Sequence, residues 1–159
     1  MLNRNLGYGF WATRSPGACI ANRKSLTTCL IGDGSLMFNL ATLETIRNLK
    51  LPIKIFVLNN GGYLAIRHTQ AGFLDKRHHG TKSPDVTIPS IGKLAWAFNL
   101  PYMQLDEPYD EEKIGLVLDS PDPVLCEVLT PHDQKMVRQG FAAVDGRHVA
   151  QPLSEMVFA

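Results

Sequence analysis

The sequence predicts an α/β domain, a mostly parallel sheet flanked by helices in three layers. Three observations carry that expectation. β-favouring runs alternate with segments of helical periodicity, the pattern of successive βαβ units. The run "IKIFVL" is almost unbroken in apolar residues, as in a strand buried on both faces. A chain of 159 residues, 45% apolar and 19% charged, is long and greasy enough for one domain with a sizeable core.

The elements follow in order. Residues 26–32 read as a strand and 35–50 as a helix, because Leu36, Leu40, Leu43 and Ile46 recur at three- and four-residue spacing. Pro52 stops that helix, and 53–58 form the buried strand. Residues 68–88, rich in glycine and charge, read as a long exposed loop. A helix near 89–99, a short strand at 102–105, a helix near 109–118 and a last strand at 123–129 complete the domain. Beyond residue 130 the chain reads as a polar tail, which sets the expected organisation as 1–130 for the domain and 131–159 for the tail.

Charge and cysteine content exclude several classes. A net charge of +1 with scattered basic residues gives no case for a nucleic-acid partner. No apolar run reaches the length of a membrane span, and no signal-peptide core opens the chain, so the expected location is the cytoplasm. Cys19, Cys29 and Cys126 are odd in number and form no C-x-x-C pair, so they read as small buried hydrophobes.

The informative stretch is 32–60, which opens with Gly-Asp-Gly and closes with Asn-Asn. Both polar groups sit where an apolar run stops, at the carboxyl ends of strands one βαβ unit apart. Right-handed crossovers bring such ends to one sheet edge, where open α/β sheets bind ligands. A carboxylate and a carboxamide are oxygen donors suited to a hard cation such as Mg²⁺ or Ca²⁺. Gly32 and Gly34 let backbone approach an anion, and Ser35 begins a helix whose first amides face it. The segment therefore looks suited to a metal-bridged diphosphate held without Lys or Arg. The plainer alternative is a tight turn capped by Asp33 and a second turn at "NNGG". A nucleotide-binding Rossmann reading lacks its G-x-G-x-x-G.

GDG followed after some two dozen residues by NN resembles the thiamine-diphosphate motif of thiamine-dependent 2-oxo acid enzymes. "LGYGF" with "GACIAN", "LPIKIFVLNNGGYLAIRHTQ", "KLAWAFNLPY", "PVLCEVLTPHDQ" and "DGRHVAQPLSEM" are similar to the C-terminal diphosphate-binding domain of the acetolactate synthase-like branch. That resemblance implies thiamine diphosphate and Mg²⁺ as cofactors. Asp33 and Asn60 would ligate the metal through side-chain oxygens and Gly62 through its carbonyl, while the amides of Gly34 and Ser35 hold the diphosphate. Leu6 would bend the cofactor, Gly7 and Gly9 would flank the same wall, and Tyr63 and Leu64 would pack near the diphosphate. No residue of this chain is implied to be catalytic by itself. The parent reaction would be decarboxylation of a 2-oxo acid and carboligation, as in branched-chain amino acid biosynthesis, in a homo-oligomer.

Departures from the pattern shape the remaining expectations. Pro16 should break or delay the helix after "LGYGF", Arg4 stands where relatives carry a small residue, and Thr42 replaces a glutamate. The N-terminal pyrimidine-binding domain that supplies the activating glutamate in this family is absent, as are the strand and helix before "LGYG". The chain is therefore expected to be an inactive fragment completed by that domain, from the same parent chain or a separate subunit. The alternatives are a non-catalytic binding module and one subunit of a two-chain decarboxylase. His68 and Gln70 could face the site or solvent, His78, His79 and His132 read as solvated, and Trp11 and Trp96 as core or subunit-interface residues.

Overall fold

The computed structural model describes residues 10–74, 77–107, 109–134, 141–144 and 147–150. In chain order the elements are α1 (Phe10–Ala21), β1 (Thr27–Gly32), α2 (Asp33–Met37), α3 (Ala41–Asn48), β2 (Ile53–Asn59), α4 (Leu64–Phe73), α5 (Ile91–Ala97), β3 (Tyr102–Leu105), α6 (Glu111–Asp119) and β4 (Val124–Leu129), then β5 (Phe141–Val144) and β6 (Arg147–Ala150). The first four strands make one sheet in the order β1-β2-β4-β3, every pair parallel. β5 and β6 pair as an antiparallel hairpin within the stretch read from sequence as a polar tail.

Each sheet face has its own apolar cluster. Cys29, Ile31, Ile53, Ile55, Val57 and Leu125 point to one face and pack with Cys19 of α1, Leu36 of α2, Leu43 and Ile46 of α3, and Ile91 and Ala95 of α5. Phe56, Val124, Cys126 and Val128 meet Val117 of α6 on the other. This makes the three layers expected from the alternation. α6 lies against β3; on the same sheet face, toward β1, Leu30 and Leu58 remain 61% and 41% exposed.

The expected helix over 35–50 is two helices. Asn39 N donates to Leu36 O, Thr42 N to Asn39 O and Leu43 N to Leu40 O, so i→i+3 bonds interrupt the run. Asn39, whose side chain competes for backbone groups, is a poor residue for a helix interior. The apolar periodicity still holds, since Leu36, Leu43 and Ile46 are all buried. Helix α3 ends at Asn48, two residues before the expected bound, and Lys50 just beyond it takes φ +47 while Leu51 N reaches back to Ile46 O.

Pro16 does not break its helix. It lies inside α1. The carbonyl that its missing N–H would have bonded is that of Ala12, and the Ser15 hydroxyl donates to that oxygen at 3.2 Å. Residues 68–73, expected as loop, belong to α4. Later helix starts are plain capping: Ser90 Oγ accepts from Lys93 N, and Asp110 Oδ1 from Lys113 N.

Candidate functional site

The parallel register sets Gly32 beside Leu58 and Asn59 beside Leu129, so β1, β2 and β4 end side by side. The chain leaves β1 straight into α2, and Asp33 is the first residue of that helix. Its side chain is 1% exposed. Gly34 N donates to Asp33 Oδ1 at 2.7 Å and Gly62 N to Oδ2 at 2.9 Å. Thus a single carboxylate ties the turn after β1 to the turn after β2, 29 residues on. Burial raises its pKa, and the amides of Gly34, Gly62, Gly61 and Asn60 oppose that rise. A desolvated carboxylate of this kind favours a cation at its remaining lone pairs.

The turn after β2 is built around its glycines. Gly61 has φ +72 and Gly62 φ +141, and a Cβ on Gly62 would stand 2.3 Å from the carbonyl oxygen of Thr81. A Cβ on Gly34 would meet the Tyr63 ring at 2.5 Å, so the second glycine of GDG is the seat of Tyr63. Tyr63 N donates to Thr81 O, which binds this turn to the following loop.

Around the Asn-Asn pair nearly every polar atom has a partner. Asn59 Oδ1 accepts from Gly61 N at 3.0 Å, and Asn59 Nδ2 donates to Glu127 Oε1 at 2.5 Å. Asn59 O accepts from Thr130 N and from the Thr130 hydroxyl. The carbonyl of Asn60 lies 2.7 Å from His132 Nδ1 and 3.4 Å from Arg67 Nη2, which also donates to His132 O at 2.6 Å. Against that background Asn60 Oδ1 stands out: it is buried and has no hydrogen-bond partner. A buried oxygen without a donor is costly unless something binds it.

Residues 4–128 match the family described as "Thiamine pyrophosphate enzyme, C-terminal TPP binding domain". The chain belongs to this family. The curated proteins it resembles include acetolactate synthases. The large subunit from Cyanidium caldarium is 32% identical over 126 residues, 78% of this chain and 21% of that protein. The chloroplastic enzyme of Arabidopsis thaliana is 30% identical over 135 residues, 81% of this chain and 20% of that protein. Among solved structures, the thiamine diphosphate-dependent 4-hydroxybenzoylformate decarboxylase of Rhodococcus jostii RHA1 superposes with a TM-score of 0.67 at 28% identity, over 80% of this chain and 24% of that one. The chain spans about a fifth of the length of the curated relatives it matches.

The TPP-binding domain thus brings together most of the residues singled out from sequence. Gly32 ends β1 and Asp33, Gly34 and Ser35 open α2, while Asn60, Gly62 and Tyr63 lie in the turn opposite and Leu64 begins α4. Leu6, Gly7 and Gly9, with Arg4, lie outside the described residues. Gly34 spends its amide on Asp33. His132 is exposed, as read from sequence, yet its ring sits against Gly61. Gln70 binds the backbone of His79 through both ends of its amide, so it anchors a loop. Trp96 is 83% exposed and no part of this core.

Sequence reasoning missed Glu127 and Arg67. Both are buried, at 6% exposed each, and both bond to the Asn-Asn turn. Their signal was present: each is a lone charge inside a segment otherwise apolar enough to be buried, "PVLCEVL" and "GYLAIR". Among the described residues no cluster of three His, Cys, Asp or Glu could hold a metal by itself. A cation here would need oxygen ligands from beyond the protein's carboxylates.

Proposed function

We propose that this domain binds thiamine diphosphate together with Mg²⁺, as the cofactor-holding part of an acetolactate synthase-like enzyme. One observation carries the metal: the buried Asp33 carboxylate is tied through Gly62 N to the same turn that presents the unpartnered Asn60 Oδ1. A desolvated anion and an orphan oxygen on joined turns are what a hard cation would satisfy. Asp33 and Asn60 would hold Mg²⁺ with their side chains and Gly62 with its carbonyl. Water and diphosphate oxygens would supply the remaining ligands, the usual arrangement when a protein offers few carboxylates.

Gly34 and Ser35 would face the diphosphate, with the Gly34 amide shared between it and Asp33. Tyr63 and Leu64 would close the site from the other turn, and Leu6, Gly7 and Gly9 would shape the wall beneath the thiazolium. Once bound, the cofactor supplies the nucleophile and electron sink for decarboxylation of a 2-oxo acid and transfer of the product to an acceptor. The residues of this chain hold and orient it and exclude water. No helix among the described residues is long and apolar enough to cross a membrane.

We further propose that residues 1–130 form the binding domain and 131–159 a C-terminal extension. The activating acid would come from a pyrimidine-binding domain of the same parent chain or of a separate subunit, in a homo-oligomer. The match covers only about a fifth of the relatives' length, which supports placing that acid in another domain. Without that acid, help typically worth about 10²–10⁴-fold is lost, so the purified chain should show no turnover. Calorimetry tests the binding: thiamine diphosphate should bind with Mg²⁺ and not after chelation, and equal affinity in both conditions would refute the proposal. Release of carbon dioxide from pyruvate, above the rate with cofactor alone and abolished by Asp33→Ala, would refute the inactivity.

A further inference from the structure

We propose that Glu127 is a positioning residue for the Asn60 cation ligand, acting through the side-chain amide of Asn59; this deepens the binding reading above and rests on it. Glu127 lies in the middle of β4, opposite Val57 of β2 and Gln104 of β3. It is 6% exposed, and its two oxygens are committed in different directions. Oε1 accepts from Asn59 Nδ2 at 2.5 Å, and Oε2 accepts from the Tyr102 hydroxyl. Burial first, then the bond to Glu127, pushes the Tyr102 hydroxyl well above the ordinary phenol range, so it remains a proton donor.

An amide side chain has a donating end and an accepting end, and its function depends on which way it is turned. An ionised carboxylate only accepts. Glu127 therefore selects the orientation of Asn59 in which the NH₂ faces β4 and Oδ1 faces the turn. Oδ1 is then free to accept from Gly61 N at 3.0 Å. That bond fixes Gly61 in its left-handed conformation, φ +72, and the next amide, Gly62 N, reaches Asp33 Oδ2 at 2.9 Å. Asn60 lies between these pinned residues, with its carbonyl beside His132 and Arg67. Its side-chain oxygen is the buried acceptor left without a donor. If Asn59 turned over, its NH₂ would confront the Gly61 amide, two donors would face each other, and the turn presenting Asn60 would lose its hold. Glu127 thus acts at one remove. A carboxylate that merely joined two strands would affect folding and leave cofactor affinity alone.

The test uses the purified 159-residue chain in four versions: wild type, Glu127→Leu, Asn59→Asp, and Asn59→Asp combined with Glu127→Gln. Thiamine diphosphate is titrated by calorimetry at fixed Mg²⁺, and thermal melts of the free chains record folding. Glu127→Leu should weaken Mg²⁺-dependent affinity by about tenfold, on the order expected for losing a hydrogen bond to a charged group. Asn59→Asp should do at least as much, because it sets two carboxylates against each other. The double variant should recover most of the loss. Its new amide at position 127 can donate to the new carboxylate at position 59 and still accept from Tyr102. The other oxygen of that carboxylate then accepts from Gly61 N. A double variant that binds no better than Asn59→Asp overturns the inference, as does a folded Glu127→Leu with wild-type affinity. Should Glu127→Leu fail to fold, the comparison of Asn59→Asp with the double variant decides alone. A wild-type chain that does not bind the cofactor and metal overturns the underlying reading, and this inference with it.

Discussion

Replacing Asp33 separates its two duties, holding the turns together and carrying charge. Its oxygens accept from Gly34 N at 2.7 Å and Gly62 N at 2.9 Å in a side chain 1% exposed. Asp33→Ala strands both amides, and at about 1–3 kcal/mol for each unsatisfied buried group the loss is about 2–6 kcal/mol. Against a total stability of about 5–15 kcal/mol that can unfold the domain. Asp33→Asn keeps one acceptor and turns an NH₂ toward the other amide, so its cost is about 1–3 kcal/mol, offset in part by the relief of a desolvated charge. The isosteric variant is therefore the informative one. Because burial raises the folded-state pKa above 3.8, the folded chain holds its proton more tightly than the unfolded chain. The metal-free wild type is then favoured at this group below pH 3.8 and loses that contribution as pH rises through the raised value. Asp33→Asn removes the slope. Urea unfolding at a series of pH values, without metal, measures it, and calorimetry of the Asp33→Asn variant should show no Mg²⁺-dependent cofactor binding. Parallel pH profiles for the two proteins, or cofactor affinity retained in the variant, would refute the assignment.

Three further outcomes follow from the packing. Gly62→Ala should cost about 2–6 kcal/mol in urea unfolding, since its Cβ would stand 2.3 Å from a backbone oxygen at φ +141. Gly34→Ala should cost about 1–3 kcal/mol by overpacking against Tyr63, and in a Tyr63→Ala background most of that cost should disappear; equal costs in both backgrounds would break the assigned contact. Lys54→Met should cost about 1–3 kcal/mol, because the fully buried Lys54 Nζ donates to Ser120 O at 2.5 Å and to Asp122 O. Desolvation lowers the Lys54 pKa below 10.5, so stability at this group rises as pH climbs from the lowered value toward 10.5, a slope the Met variant should lack in alkaline unfolding curves.

Much of the frame was legible because strand burial writes itself into residue type. Ile53 to Val57 is buried throughout, and the short strand at Tyr102–Leu105 was placed to the residue. Local chemistry defeated the rest. Ser15 lets α1 run through Pro16 by serving the Ala12 carbonyl, a compensation that no propensity rule contains. The helix over residues 35–50 kept its apolar stripe and lost its continuity at Asn39, since burial governs the first and backbone bonding the second. Helix α4 was missed, and its residues 68–73 read as loop because of the glycine and charges that follow Gln70.

The candidate site divides in the same way, and the division has a physical cause. Gly32, Asp33, Asn60 and Gly62 all come from one βαβ unit, so their spacing in sequence is their spacing in chemistry. The groups that hold them come from elsewhere: Glu127 and Thr130 lie some seventy residues on, and Arg67 on the next helix. A motif records the atoms meant for a ligand, because those atoms need fixed residue types. The scaffold needs only a donor or acceptor at the right place, and many residues provide one. Its trace in sequence is therefore a single charge where burial predicts none. Lys54, Arg67 and Glu127 each fit that description, and each is buried and bonded to backbone or to an amide that shapes a turn. A charge inside a predicted core strand or helix is, in this domain, a pointer to the part of the fold that positions the turn or loop beside it.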